Sequence, residues 1–350
     1  MDSQVVSAAL QGLPPIRALL DWWRKQKRRS KVAVSTAAIL AAIWYYRYRI
    51  RPMLSIKSAR GKAVFVTGCD TGFGNMLAKR LDVLGFRVFA GCLSEQSAAK
   101  LKSETSAALT TLICDVTKED QIVAAAREVE AQCPQGLYAV VNNAGVSDSF
   151  LAHVTRPEAV RRTMEINFIG TVAVNYHFFE LIRRAKGRIV NMASVWGYFS
   201  GFGFGPYSAS KFAVQAYSEA LRQEVEGFGM KVIVIEPGLC RTPLMTVEAQ
   251  KGIERTWQRA EESRKNVYVD REKFFKGCQK SLALLQYIAE DPKKVVNAYE
   301  RALVSAYPRT RYTPTMNSKL FYGVSQLPDF LKDCLAKYIL CPKMVAVDDV

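Results

Sequence analysis

The sequence predicts an α/β fold, a doubly wound parallel sheet in one domain. Three observations predict it: short runs that are apolar throughout, amphipathic helical stretches between them, and a glycine-rich turn where the first run meets the first helix. Strands buried on both faces read as unbroken apolar runs, as in a parallel sheet covered by helices. Their alternation with helices points to βαβ units.

Taken in order, Ala63-Val64-Phe65-Val66 is a strand and 72–84 a helix. Strands follow at 86–92 and 109–114, then a helix over 117–132 with Thr117 as its cap and Asp120 in its first turn. The stretches 137–141, 188–192 and 231–235 are further strands. After Gly238 the rhythm lapses. The charged stretch 241–287 reads as a helical insertion near the carboxyl ends of the strands, where a substrate lid sits. A helix over 291–305 follows, with Pro292 in its first turn. The domain is assigned to 61–315. Beyond it, apolar residues at 320, 324, 327, 331, 335 and 338 recur at helical spacing. The segment 316–350 is therefore amphipathic, either packed on the domain or lying on a membrane surface.

The chain has 350 residues and a formal charge of +17. Between Met1 and Lys62, 13 basic residues face only Asp2 and Asp21, so most of the excess belongs to the N-terminal segment. That placement argues against a nucleic-acid partner. Residues 1–31 form a basic segment, and 32–50 are expected to form a membrane anchor helix flanked by cations. Its 15 uncharged residues, 32–46, would span about 22 Å of helix. A bilayer core is ~30 Å, a shortfall that snorkelling Lys and Arg and the terminal Trp44, Tyr45 and Tyr46 can make up. The alternative is a cleaved organelle presequence, since the segment is rich in Arg and poor in acids. Either reading places the protein inside the cell, on the endoplasmic reticulum or the mitochondrion. Eight cysteines with no Cys-x-x-Cys fit reduced, unpaired usage in an intracellular domain. Two histidines, His153 and His177, leave little for a metal site or a Ser-His-Asp triad.

Five motifs in fixed order carry the chemistry. Tyr207 and Lys211 lie four apart, on one face of a helix. A free phenol titrates near ~10, and a nearby cation lowers that value, giving a group fit for acid/base work. The loop Thr67-Gly68-Cys69-Asp70-Thr71-Gly72-Phe73-Gly74 offers a tight turn and helix N–H groups to a pyrophosphate, although its spacing is not Gly-x-Gly-x-x-Gly. Asn142-Asn143-Ala144-Gly145, Asn167 and Ser194 complete the set.

This ordered set resembles the short-chain dehydrogenase/reductase family, across roughly residues 61–315. Within it, Gly68–Gly74, Phe89–Leu93 and Leu181–Arg188 are most similar to the D-3-hydroxybutyrate, type 2 17β-hydroxysteroid and retinol dehydrogenase group. The resemblance implies a Rossmann-like fold, a dinucleotide cofactor, and a homodimer or homotetramer. It implies Tyr207 as general acid/base, Lys211 as its partner and a ribose ligand, Ser194 at the substrate oxygen, and Asn167 in a proton relay. It implies cofactor contacts from Thr67, Gly68, Asp70, Gly72, Phe73 and Gly74, and from Asp115 and Val116. Asn142, Ala144, Gly145, Pro237, Gly238 and Thr242 complete that list. Plainer readings stand beside these: a turn cap for Asn167, helix capping for Asp115, a loop residue before Pro243 for Thr242, and a ligand-free turn for the glycines.

The second strand ends without a basic residue, and Asp70 would repel a 2′-phosphate, so NAD is expected in preference to NADP. The segment Val195–Pro206 carries five aromatics and four glycines, a greasy wall suited to a steroid or retinoid, or else loop packing or a subunit contact. The expected function is NAD-dependent interconversion of an alcohol and its carbonyl, with a hydroxy acid or lipid-like alcohol as substrate. The alternatives are an NADPH-dependent lipid ketone reductase and a catalytically idle, membrane-bound interaction protein.

Overall fold

The computed structural model describes residues 21, 28–148, 150–265 and 271–339. They fall into two compact units, divided between Ser55 and Ile56.

The first unit holds a helix at Arg28–Tyr45, continued by a π-helical turn at Tyr46–Ile50. No helix among the described residues is long and apolar enough to cross a membrane. The expected spanning anchor at 32–50 is not shown by this helix. Three cations occupy the first four positions of the 18-residue helix, and Arg47 and Arg49 follow it, so the uncharged stretch falls short of a bilayer. The expected basic segment 1–31 lies almost wholly outside the described residues.

The second unit is built on a seven-stranded sheet. Its strands are β1 (Ala63–Val66), β2 (Arg87–Cys92), β3 (Leu109–Ile113), β4 (Ala139–Asn142), β5 (Arg188–Met192), β6 (Lys231–Ile235) and β7 (Arg311–Tyr312). The order is β3-β2-β1-β4-β5-β6-β7, and every pairing is parallel. The strand order reverses between β1 and β4, which opens a crevice at their carboxyl ends.

The helices joining them are α1 (Gly72–Val83), α2 (Glu95–Ser103), α3 (Glu119–Gln132), α4 (Pro157–Met164), α5 (Gly170–Arg184) and α6 (Gly205–Glu224). The inserted segment supplies α7 (Ala249–Arg259) and α8 (Arg271–Tyr287), and α9 (Lys293–Val304) returns the chain to the sheet. Finally α10 (Met316–Ser325) and α11 (Asp329–Ile339) follow β7.

Strand side chains alternate between faces, and the core divides accordingly. Val64 and Val66 of β1 join Leu77, Leu81 and Tyr299 on one face of the sheet. Phe65 joins Phe89, Phe178 and Leu181 on the other, its ring stacked on Phe178 at 4.5 Å. All four β1 side chains are buried, which is why the run shows no polar alternation.

The expected strands appear within two residues at each end. Thr117 does not cap α3, which begins at Glu119; the Asp115 carboxylate instead accepts from the Thr117 amide and hydroxyl at 2.9 and 2.8 Å. β7 has only two residues, too few to leave a pattern in sequence. The assigned boundary at 315 also moves. Thr315 and Ser318 form a capping box opening α10, and both are fully buried, so this helix belongs to the domain.

Gly74 sets how closely α1 approaches the strands. A Cβ there would stand 2.2 Å from the Gly68 carbonyl oxygen and 2.5 Å from Asn143 Nδ2. Gly74→Ala is predicted to lower stability by about 1–3 kcal/mol through overpacking. Thermal or denaturant unfolding checks it, and an unchanged midpoint would show that the turn yields freely.

Candidate active site

The crevice at the sheet switch point is a cleft of about 620 Å³. Gly68, Asp70, Gly72, Phe73, Asp115, Val116, Ala144, Gly145 and Thr242 line it, nine of the residues expected from sequence. Gly68 has φ +69°, and a Cβ there would press on Ala144 Cα at 2.8 Å, so only glycine fits. The amino end of α1 opens into the cleft at Gly72, a ready site for an anion. Asp70 lies across from it, its carboxylate fixed by the Leu93 amide at 2.9 and 3.1 Å, just past the end of β2.

Thr67, Gly74 and Asn142 do not line the cleft; they brace it. Thr67 Oγ1 accepts from the amides of Asn143 and Ala144 at 3.0 and 3.1 Å. Asn143 donates back to the carbonyls of Thr67 and Gly68 at 3.0 and 3.1 Å, locking the two loops together. Asn142 is buried and donates to Asn175 Oδ1 at 2.7 Å and Asn191 Oδ1 at 2.9 Å. That three-asparagine junction joins β4, β5 and α5.

A smaller pocket of about 110 Å³ adjoins the cleft. Ser194, Tyr207, Lys211, Pro237 and Gly238 line it together with Gly145 and Thr242. Ser194 leaves β5 in extended conformation, and its Oγ accepts from Trp196 N at 3.3 Å and donates to Pro237 O at 3.4 Å. It also hydrogen-bonds the Tyr207 phenol. Lys211 is buried on α6, one turn beyond Tyr207. Its Nζ donates to the Met192 carbonyl at 2.9 Å and stands 5.6 Å from the Tyr207 ring centre.

Asn167 lies outside both pockets, in a π-helical turn at Glu165–Ile169 between α4 and α5. Such turns recur at functional sites. Its side chain accepts from Val146 N at 2.8 Å and donates to Val146 O and to Ser210 Oγ, both at 2.9 Å. Asn167 thus braces the loop at Val146 rather than capping a turn, and it lies near Lys211, since a Cβ at Gly145 would meet both side chains.

The electrostatics differ from the sequence expectation. Burial is the main influence on Tyr207 and pushes the phenol up to about 12, with the Ser194 hydrogen bond pulling the other way. Burial also brings Lys211 down to about 8. The expected acidification of the phenol by Lys211 is outweighed, because enclosure disfavours charge on both groups.

Sequence reading missed several lining residues. Arg161, Arg162, Glu165 and Ile166 of the α4–α5 stretch line the large cleft, although no motif marks them. In the aromatic segment, Trp196 and Phe204 stack at 4.5 Å and line the small pocket, whereas Tyr198 turns away to Arg311. Phe321 of α10 packs on Trp196 at 5.7 Å. The helical insertion expected at 241–287 supplies α7 and α8. Arg255 pairs with the buried Asp148 at 2.7 Å, and Phe150 N donates to Thr256 Oγ1 at 3.0 Å. Phe150, Phe202, Ile253, Leu282 and Leu285 line an apolar pocket beside α7 and α8.

The sheet order, the switch-point cleft and the Ser-Tyr-Lys pocket define a dinucleotide-dependent oxidoreductase acting on a CH–OH group. The chain matches the short chain dehydrogenase family model over residues 62–252. It is 38% identical over 301 residues to retinol dehydrogenase 7 of Rattus norvegicus, covering 85% of this chain and 94% of that one. It is 42% identical over 296 residues to 17-beta-hydroxysteroid dehydrogenase type 6 of Mus musculus, covering 82% and 91%. Among solved structures, a short chain dehydrogenase/reductase from Burkholderia phymatum in complex with NAD shares the fold. Its TM-score is 0.63 at 19% identity, covering 84% of this chain and all of that one. The chain belongs to the short-chain dehydrogenase/reductase family, and its cofactor is a nicotinamide dinucleotide.

With Tyr207 as the base expected for alcohol oxidation, the raised value leaves it protonated at neutral pH. The oxidative kcat/KM is therefore predicted to climb with pH from about 7 to about 10. A rate profile measured over that range checks this, and a flat profile would contradict it.

Proposed function

We propose that the chain interconverts a lipid-like alcohol of the retinol or steroid class with its carbonyl, using NAD. The observation that carries this reading is the Ser194–Tyr207 hydrogen bond inside an apolar pocket, with Lys211 buried beneath it. Trp196, Phe204, Leu244 and Met245 line that pocket, and among its described lining residues Lys211 is the one cation. Its ammonium is engaged by Met192 O. That lining supports a lipid alcohol over a small hydroxy acid, whose carboxylate would need a free cation. The names of the retinol and 17-beta-hydroxysteroid relatives point the same way.

The cleft fits a dinucleotide. Gly72 leaves space for close backbone approach, α1 offers its amino end, and Asp115 and Val116 line the same cleft. When bound, the nicotinamide supplies the hydride acceptor or donor. The chain's own residues handle the proton. Ser194 Oγ holds the substrate oxygen and stabilises the charge that develops on it. Tyr207 takes the hydroxyl proton in oxidation and returns it in reduction. Lys211, fixed by Met192 O, keeps a positive charge below the phenol. Asn167 and Ser210 extend hydrogen bonding from that site toward Val146.

Asp70 supports NAD. Held by the Leu93 amide, its carboxylate occupies the end of β2, where a 2′-phosphate would meet like charge. An NADPH-dependent ketone reductase is the second reading, favoured by Arg161 and Arg162 in the same cleft. Titrating the purified chain with each cofactor separates them. NADH is expected to bind more tightly, Asp70→Asn to narrow the gap, and tighter NADPH binding to the wild type would overturn the assignment.

Attachment to a membrane surface completes the reading, supported by the 13 basic residues before Ala63 and by the exposed Ile39, Leu40, Ile43 and Trp44. Cosedimentation with anionic vesicles tests it; a chain left in the supernatant would exclude it.

Tyr207→Phe is predicted to lower turnover of retinol, steroid alcohols and hydroxy acids at least ~100-fold, the loss expected for an acid/base group. NADH formation measures it. Retained activity would remove Tyr207 from the chemistry, and a wild type inactive on every substrate would favour the idle-protein alternative.

A further inference from the structure

A second polar cluster lies behind the Ser194 turn, and the proton-moving residues do not use it. Glu236 follows β6 and is fully buried. Its amide donates to Tyr312 O at 2.8 Å, and its carboxylate pairs with Arg311 of the neighbouring β7. The same guanidinium donates to the Tyr198 hydroxyl at 3.1 Å, to Gln215 Oε1 and to Glu219. Tyr198 lies four residues past Ser194 in the same turn. Gln215 and Glu219 lie one and two turns past Lys211 on α6, on the same face.

One guanidinium therefore ties together three segments: the turn bearing Ser194, the helix bearing Tyr207 and Lys211, and the strand end leading to Pro237-Gly238. The packing between them is close. A Cβ at Gly197 would stand 2.9 Å from Lys211 O and 3.0 Å from Gln215 Cγ. Pro237, next to Glu236, accepts from Val195 N at 3.0 Å and from Ser194 Oγ at 3.4 Å. A buried ion pair is weak support for stability, because apolar groups of the same volume often do as well. Its worth here lies in directionality: a forked guanidinium fixes several acceptors in one geometry.

We propose that Glu236 and Arg311 are positioning residues that set Ser194 Oγ against the Tyr207 phenol. The inference rests on the proton-moving role proposed for that pair. Misplacing a reacting group by ~1 Å can cost on the order of 100-fold in rate.

The test uses the full chain with Glu236→Gln, which keeps the volume and removes the charge. Retinol oxidation with NAD is expected to lose about 10- to 100-fold in kcat. KM for retinol and the NADH dissociation constant, read by fluorescence, are expected to stay within about three-fold, the pattern of an interaction felt in the transition state. Hydrogen exchange at 194–198 is expected to quicken. Arg311→Lys and Tyr198→Phe should move the same readouts in the same direction, and they decide the matter if Glu236→Gln does not fold. Wild-type kcat and unchanged exchange in a folded variant would overturn the proposal. So would a loss of activity that matches the loss of folded protein. If the wild type oxidises no alcohol, the proposed function fails, and exchange at 194–198 still decides whether the clamp exists.

Discussion

The site depends on one buried cation. Lys211 lies in the middle of α6 with its ammonium bonded to the Met192 carbonyl at the end of β5. An uncompensated charge in that position would be costly, and the carbonyl together with the adjoining cleft makes it tolerable. Because the lysine is fixed to the sheet, Tyr207 one turn before it is fixed as well. Ser194 then meets the phenol from the end of the same strand. The geometry of the candidate site thus comes from docking one helix onto one strand.

The rest of the fold serves that docking. The asparagine junction of Asn142, Asn175 and Asn191 binds β4, β5 and α5 beneath the site. The cross-bonds of Thr67 and Asn143 join the glycine turn to the loop after β4. Both networks lie at the point where the strand order reverses, so the rigid side of the crevice is held by polar side chains. The other side is the inserted segment, whose apolar residues meet Phe150 and Phe202. A polar floor under a greasy roof suits a substrate that brings one hydroxyl and much hydrocarbon.

Much of this was legible in the sequence. Unbroken apolar runs marked the strands because both faces of the sheet are covered. The Tyr207–Lys211 spacing marked the helix face, and the glycine turn marked the cleft. The sign of the Tyr207 shift was not legible. Spacing shows that a cation is near but not how deeply both groups are buried, and here burial dominates. The pairings of Tyr198, read as part of the aromatic wall, and of the α10 residues were not foreseen for a different reason. Their partners, Arg311 and Trp196, are more than a hundred residues away in the chain, and no local pattern encodes such a pairing.

The central claim is that enclosure holds Tyr207 as a neutral phenol, hydrogen-bonded to Ser194 and above a buried cation. Carbon-13 labelling of the tyrosine ζ positions, with Tyr207 assigned by its loss in a Phe variant, allows the phenol to be titrated directly by NMR. The account predicts a protonated Tyr207 up to at least about pH 10, with Ser194→Ala moving the transition higher still. A phenolate resonance already present near neutral pH in the free chain would contradict it.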